Sequence, residues 1–210
     1  MIKNLLSWFG PKSADTIKSC PEIQGHFTIQ LLDSRGKVAQ ESTGFNIWTL
    51  TGREYLSEVI ALQSFASNPT RTTFREDRIA YIAMGIGSQE EVAGVRKLTN
   101  PIGLGGQASG TFLSAIDASI FPATSSGTTK TSVQFIKEFS ATDYSPVNSI
   151  VLTEAGLFTD GNPNDNWSLG TLSTAYAQAN SFSPVAYKNF EPVTKTSDYS
   201  MKIVWEVRFI

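Results

Sequence analysis

From Gly25 to Leu32 the chain alternates strictly: Phe27, Ile29 and Leu31 point one way, and His26, Thr28 and Gln30 the other. A side-chain period of two marks a strand with one buried face. Asp33-Ser34-Arg35-Gly36 has turn chemistry, so Lys37 to Trp48 reads as the returning strand of a hairpin. The alternation recurs most strongly from Ser200 to Ile210. There Met201, Ile203, Trp205, Val207 and Phe209 share one face against Lys202, Glu206 and Arg208. This last segment is expected to be tied into the core sheet.

One stretch between them changes period. Thr51-Gly52-Arg53-Glu54 has the form of a capping box, in which a hydroxyl and a carboxylate satisfy each other's backbone N–H groups. Tyr55, Leu56, Val59, Ile60 and Leu62 then form an apolar stripe. This predicts a helix running to about Phe65 and stopping before Asn68-Pro69. The remaining segments are shorter. Arg78 to Met84 reads as a strand closed by Gly85-Ile86-Gly87-Ser88, and Gly103 to Gly110 as a glycine-rich turn. Thr111 to Phe121 reads as a strand with Phe112 and Ile116 inward, and Thr131 to Ser140 as one with Val133, Phe135 and Phe139 on one face. Ser149 to Phe158 reads as a strand interrupted at Glu154-Ala155-Gly156, and Leu169 to Tyr176 as another. Tyr187 to Val193 reads as a bent or edge strand, because Pro192 has no N–H for a ladder.

Many short strands between Gly, Pro, Ser and Asn turns predict a mainly β fold: a β-sandwich or jelly-roll-like domain with one capped α-helix. That domain is expected over residues 23–210, with a long inserted loop region at about 94–132. Residues 1–22 read as an N-terminal arm. Ile2, Leu5, Leu6 and Phe9 fall at helical spacing, Trp8 widens the stripe, and Gly10-Pro11 ends it. A helix this short is not stable alone. The expectation is that it packs on its own domain or frays, or that its apolar face docks on a neighbouring subunit.

Composition narrows the function. A net charge of −2 supplies no positive field for a phosphate backbone, so no direct nucleic-acid partner is expected. Cys20 is the only cysteine, which rules out an intramolecular disulfide and a zinc site built on several thiolates. No apolar run reaches the ~18 residues of a membrane helix, and Met1 to Gly10 is too broken for a secretory signal. The expectation is synthesis in the cytoplasm and no membrane partner.

The chain offers little chemistry. His26 is the only histidine and lies on a polar strand face. No Gly-x-Ser-x-Gly elbow supplies a nucleophile, and no Gly-Lys-Ser/Thr motif cradles a phosphate. Gly85 and Gly87 lack a third glycine at the dinucleotide spacing. Asp160 to Asn166 is rich in oxygen ligands, but Asp165 stands where a calcium loop needs Gly and Thr171 where it needs Glu. No catalytic, cofactor-binding or metal residue is assigned, and an enzyme is not expected. Arg71, Arg75 and Arg78, grouped around Glu76 and Asp77, make either local ion pairs or an intersubunit contact.

Three stretches, in order, resemble a known family. Tyr81-Ile82-Ala83-Met84-Gly85-Ile86-Gly87-Ser88 is similar to a "YIALGTG" strand-turn in small virion proteins of tailed phages. Ile150 to Phe158 resembles their "ITEAGLF" strand. Phe190-Glu191-Pro192-Val193-Thr194-Lys195, followed by Ile203 to Val207, resembles their closing "F-x-P-V-x-K…I-x-W-x-I" pattern. The likeness covers roughly Thr43 to the C-terminus. It implies a virion structural protein, made in the bacterial host cytoplasm, that works in symmetric assemblies. The expected partners are other virion proteins (major capsid, neck or tail) and further copies of itself as a homo-oligomer. A compact acidic chain without a fibre repeat favours a capsid decoration or cement protein. The alternatives are a neck, baseplate or tail-fibre component, or a carbohydrate-binding adhesin module in which Trp48 or Trp167 stacks on a sugar. The residues expected to bind partners are Ile2, Leu5, Leu6, Trp8 and Phe9 as arm anchors, with Arg71, Arg75 and Arg78 as polar contacts.

Overall fold

A computed structural model describes residues 23–61, 78–106, 112–122, 131–144, 149–159 and 183–209. It is mainly β. The elements are β1 (Ile23–Leu32), β2 (Val38–Trp48), α1 (Leu50–Ala61), β3 (Ile79–Gly85), β4 (Pro101–Ile102), β5 (Ser114–Ala115), β6 (Ala118–Ile120), β7 (Ser132–Phe139), β8 (Ile150–Thr159), β9 (Ala186–Lys195) and β10 (Ser200–Phe209).

The strands form one path of antiparallel ladders in the order β4-β3-β8-β9-β2-β1-β10-β7-β6, with β5 beside β3. β2 joins the two halves. Its residues from Val38 to Asn46 pair with β1, and then Ile47 and Trp48 turn to pair with Tyr187 and Ala186 of β9. The sheet curls at that point, and its two halves face each other across one core. Phe27 of β1 stacks on Phe190 of β9 at 5.2 Å and meets Trp205 of β10 edge-on at 5.0 Å. Ile29, Leu31, Phe139, Leu152, Leu157, Met201 and Ile203 complete this interior. Each such side chain contributes roughly 1.5–3 kcal/mol by leaving water.

Within this frame several sequence expectations change. The helix cap is Thr49, two residues before the expected Thr51. The Thr49 hydroxyl accepts the Gly52 N–H at 3.1 Å, and its carbonyl accepts the Arg53 N–H at 3.0 Å. The reason is tertiary. Thr49 is fully buried where β2 meets the start of β9, and its hydroxyl also donates to the Pro184 carbonyl. Gly52 lies so close to the Val185 carbonyl that no Cβ fits there. β8 is not interrupted at Glu154-Ala155-Gly156. It runs through them, and only the register slips between Leu152 and Glu154. Thr111 to Phe121 gives two short strands, β5 and β6, rather than one. The segment at 94–132 is more than an inserted loop: it supplies β4, β5 and β6 and buries Leu98, Ile102, Phe112 and Leu113.

Other expectations hold. β10 is central, between β1 and β7. β9 is bent, since the four steps from Asn189 to Val193 lie against only two steps of β8, from Leu152 to Glu154. Pro192 sits in that bend with its carbonyl accepting from Gln40.

Candidate functional site

The half-sheets differ in what covers their outer faces. β8 is buried on both sides from Glu154 to Thr159. Its inner face meets the main core. On its outer face Phe158 packs with Ala83, Leu98, Phe112, Leu113 and Tyr81 in a second, smaller core. The chain itself makes this cover, from the loop 86–100 and from Phe112-Leu113.

A buried carboxylate fastens the cover. Glu154 has no exposed surface. One of its oxygens accepts the Asn100 N–H at 2.8 Å and the Gly87 N–H at 3.2 Å. The other accepts the Thr99 N–H at 3.0 Å and the Tyr187 hydroxyl at 3.0 Å. Four donors fill the lone pairs a carboxylate offers, so Glu154 is stabilised without a cation. Burial, and then the Glu154 charge, push the Tyr187 phenol well above its ordinary value. A Cβ on Gly85 or Gly87 would collide with a Glu154 oxygen. Thr153 adds a bond at 2.6 Å to the Gly87 carbonyl. Further along the loop, Glu91 accepts from Lys188 Nζ at 2.6 Å and from the Asn189 N–H at 3.1 Å. This arrangement holds a loop in place. It leaves no carboxylate lone pair for proton transfer.

At the end of the fold, Lys195 is also buried and donates to the carbonyls of Ala141 and Thr196 at 2.8 and 2.9 Å. Burial lowers its ammonium below the usual lysine range, against the pull of Asp143. An open crevice of about 600 Å³ nearby is lined by Asp33, Ser34, Ala141, Ser197 and Asp198. Asp33 is already engaged there, accepting the Arg35 and Lys37 N–H groups at 2.9 Å each. Among the described residues no group of three or more His, Cys, Asp or Glu is placed to hold a metal. No described helix is long and apolar enough to cross a membrane.

The outer face of the other half-sheet is built differently. The ladders set its outward side chains in rows across β2, β1, β10, β7 and β6. One row runs Phe45, His26, Glu206, Gln134, Ile120. The next runs Thr43, Thr28, Val204, Ile136, Ala118, and the third Glu41, Gln30, Lys202, Glu138. Phe45 is 64% and Ile120 43% exposed. The polar groups between them pair with one another: Thr43 with His26 at 3.1 Å, Lys202 with Glu138 at 3.0 Å, Arg208 with Glu206 at 2.9 Å.

No protein-family model, curated protein or solved structure matches the chain. Of the residues expected to bind partners, Ile2, Leu5, Leu6, Trp8, Phe9, Arg71 and Arg75 lie outside the described residues. So do the Asp160 to Asn166 loop and Trp167. Arg78 is exposed just before β3. Trp48 is buried at 6% exposure, so it cannot stack on a sugar. Sequence reasoning missed Glu154, Tyr187 and the Phe45–Ile120 row. The signal for Glu154 was a lone acid within an apolar run, together with two glycines that end a neighbouring strand.

Proposed function

We propose that the chain is a structural subunit of a tailed-phage virion, acting as a capsid decoration protein that binds and stabilises neighbouring subunits. The observation that supports this reading is the interlock of two stretches that carry the phage resemblance. Tyr81 to Gly85 and Glu154 to Phe158 lie on adjacent strands, and Glu154 holds Gly87 in the turn that follows the first of them. The Glu and the glycines thus form one device for holding a loop on a sheet, which supports a scaffold role. The described surface suits the same role. It is a broad sheet face with self-paired charges and apolar side chains at its edges, on which a partner docks by area.

Immunogold labelling of tailed-phage particles from the strain that carries this sequence tests the proposal. Label on capsids, with a copy number on the order of hundreds, is expected for a cement protein. Roughly tens of copies at the neck or tail would move the protein to a ring or appendage. Absence from purified particles would overturn the reading.

A further inference from the structure

We propose that residues 115–120 form a releasable strap, which closes the curled sheet and opens as a unit while the long ladders stay folded. Apart from the short strands β4, β5 and β6, β3 bounds one half-sheet and β7 the other. The strap joins these two edges. The consecutive N–H groups of Ile116 and Asp117 point opposite ways: Ile116 donates to the Ala80 carbonyl of β3 at 2.8 Å, and Asp117 to the Ile136 carbonyl of β7 at 2.9 Å. On either side of them, Ala115 pairs with Tyr81 of β3, and Ala118, Ser119 and Ile120 pair with Ile136, Phe135 and Gln134 of β7. The sheet is thus closed on itself at this seam.

The strap is held lightly. It pairs at four positions, whereas β1 and β10 pair at ten and β10 and β7 at eight. Ala115, Asp117, Ser119 and Ile120 are exposed. Ile116 packs against the main core but is only half-buried. Few buried apolar contacts and solvent-exposed backbone hydrogen bonds mark the segments of a fold that open first. The residues just before the strap differ: Phe112, Leu113 and Ser114 are all buried. They root it and place its hinge at Ser114.

Asp117 fastens the strap at its centre. One carboxylate oxygen accepts from Lys137 Nζ at 2.7 Å, and the other accepts the Glu138 N–H at 2.7 Å. The pairs of β6 stop at Ile136, so beyond that point the Asp117 side chain stands in for a strand backbone. The Asp117 side chain is 45% exposed, so water takes its place when the strap lifts and no charge is left buried. A bare strand edge is a template for an added strand. While fastened, the strap occupies the β7 groups between Gln134 and Glu138 that such a strand would use. Its opening therefore controls access to that edge, whichever partner the chain has.

Amide hydrogen exchange of the full chain, followed residue by residue at several urea concentrations below the unfolding midpoint, tests the proposal. The amides of Ile116, Asp117 and Glu138 are expected to exchange through one shared opening. That opening should occur at least ~100-fold more often than opening of the β1–β10 ladder, and should be almost independent of urea because it exposes little surface. Pinning the strap gives the second arm. Ile120 and Gln134 stand opposite each other on β6 and β7. The pair Ile120→Cys and Gln134→Cys, in a chain that also carries Cys20→Ser, places a disulfide across the seam. Oxidation should slow exchange at Ile116, Asp117 and Glu138 by at least ~30-fold, and reduction should restore it. The proposal is overturned if these three amides follow the β1–β10 ladder in rate and urea dependence, if they open independently of one another, or if the disulfide leaves their rates unchanged. Where the cysteine pair does not oxidise, the urea series on the unaltered chain decides alone.

Discussion

The two outer faces of one curled sheet solve the same problem in opposite ways. The outer face of β3 and β8 is apolar, and the chain covers it with the loop 86–100, Phe112 and Leu113. The outer face of β1, β10 and β7 is mixed, and its polar side chains satisfy one another in the open. The first face is buried beneath the chain's own residues, so substitutions there should cost much. The second is half-exposed among the described residues, so substitutions there should cost little. The location of substitution damage should therefore divide sharply between them.

The largest effect is expected at Glu154. Glu154→Ala would leave three backbone N–H groups and the Tyr187 hydroxyl without an acceptor. Each unsatisfied buried group costs about 1–3 kcal/mol, and relaxation of the loop should bring the total to about 4 kcal/mol. Denaturant unfolding measures it. Hydrogen exchange should show the amides of Gly87, Thr99 and Asn100 losing protection first. A loss below about 1 kcal/mol would mean that the loop is not held by this carboxylate. Gly87→Ala comes next, at about 2–3 kcal/mol. Its Cβ would meet Thr99 Cβ at 2.6 Å and the Asn100 nitrogen at 2.8 Å as well as Glu154, so the loop must shift to admit it.

Tyr187→Phe removes one of the four donors and should cost about 1–2 kcal/mol at neutral pH. It also changes the alkaline limb. Burial and the Glu154 charge raise the Tyr187 phenol above its ordinary value of 10.0. Below that value both folded and unfolded chains keep the proton. Above it the unfolded chain ionises first, so stability falls as pH rises. Tyr144, raised by burial, acts in the same direction. Lys195, lowered by burial, acts oppositely up to its ordinary value of 10.5. Thermal unfolding from about pH 9 to about pH 11 should therefore fall less steeply in Tyr187→Phe than in the unaltered chain. Parallel curves would show that the Tyr187 phenol does not contribute.

Each face was legible to the extent that its cause is local. The alternation of β1 and β10 declares a single buried face, because period two depends on nothing beyond the strand. The unbroken run of β8 was equally open to reading, since a strand buried on both sides loses its alternation. Glu154 read as an interruption because its four partners stand at residues 87, 99, 100 and 187. No local pattern announces donors that arrive from that distance. The cap moved from Thr51 to Thr49 for a similar reason, because the Pro184 and Val185 carbonyls select the hydroxyl that can reach them. The row from Phe45 to Ile120 needed the register of four ladders, which the sequence does not supply.

The smallest effects are expected on the open face, and they are the sharpest check on the comparison. Val204→Thr and Thr28→Val exchange nearly isosteric side chains in the row between the two charged ones. Val204 is half-buried, with Thr28 and Ile136 beside it on the ladders. Adding a hydroxyl there leaves that group within reach of water, so no buried polar penalty arises. At concentrations where the chain is monomeric, each change should move stability by no more than about 0.5 kcal/mol. A related exchange on the inner face, Ile203→Thr, would put a hydroxyl in the core beside Ile29, remove one carbon from the packing and cost several times more. If Val204→Thr instead cost as much as Ile203→Thr, Val204 would have to be buried in the monomer. The outer face of β10 would then be covered by the chain itself, and the contrast between the two half-sheets would disappear.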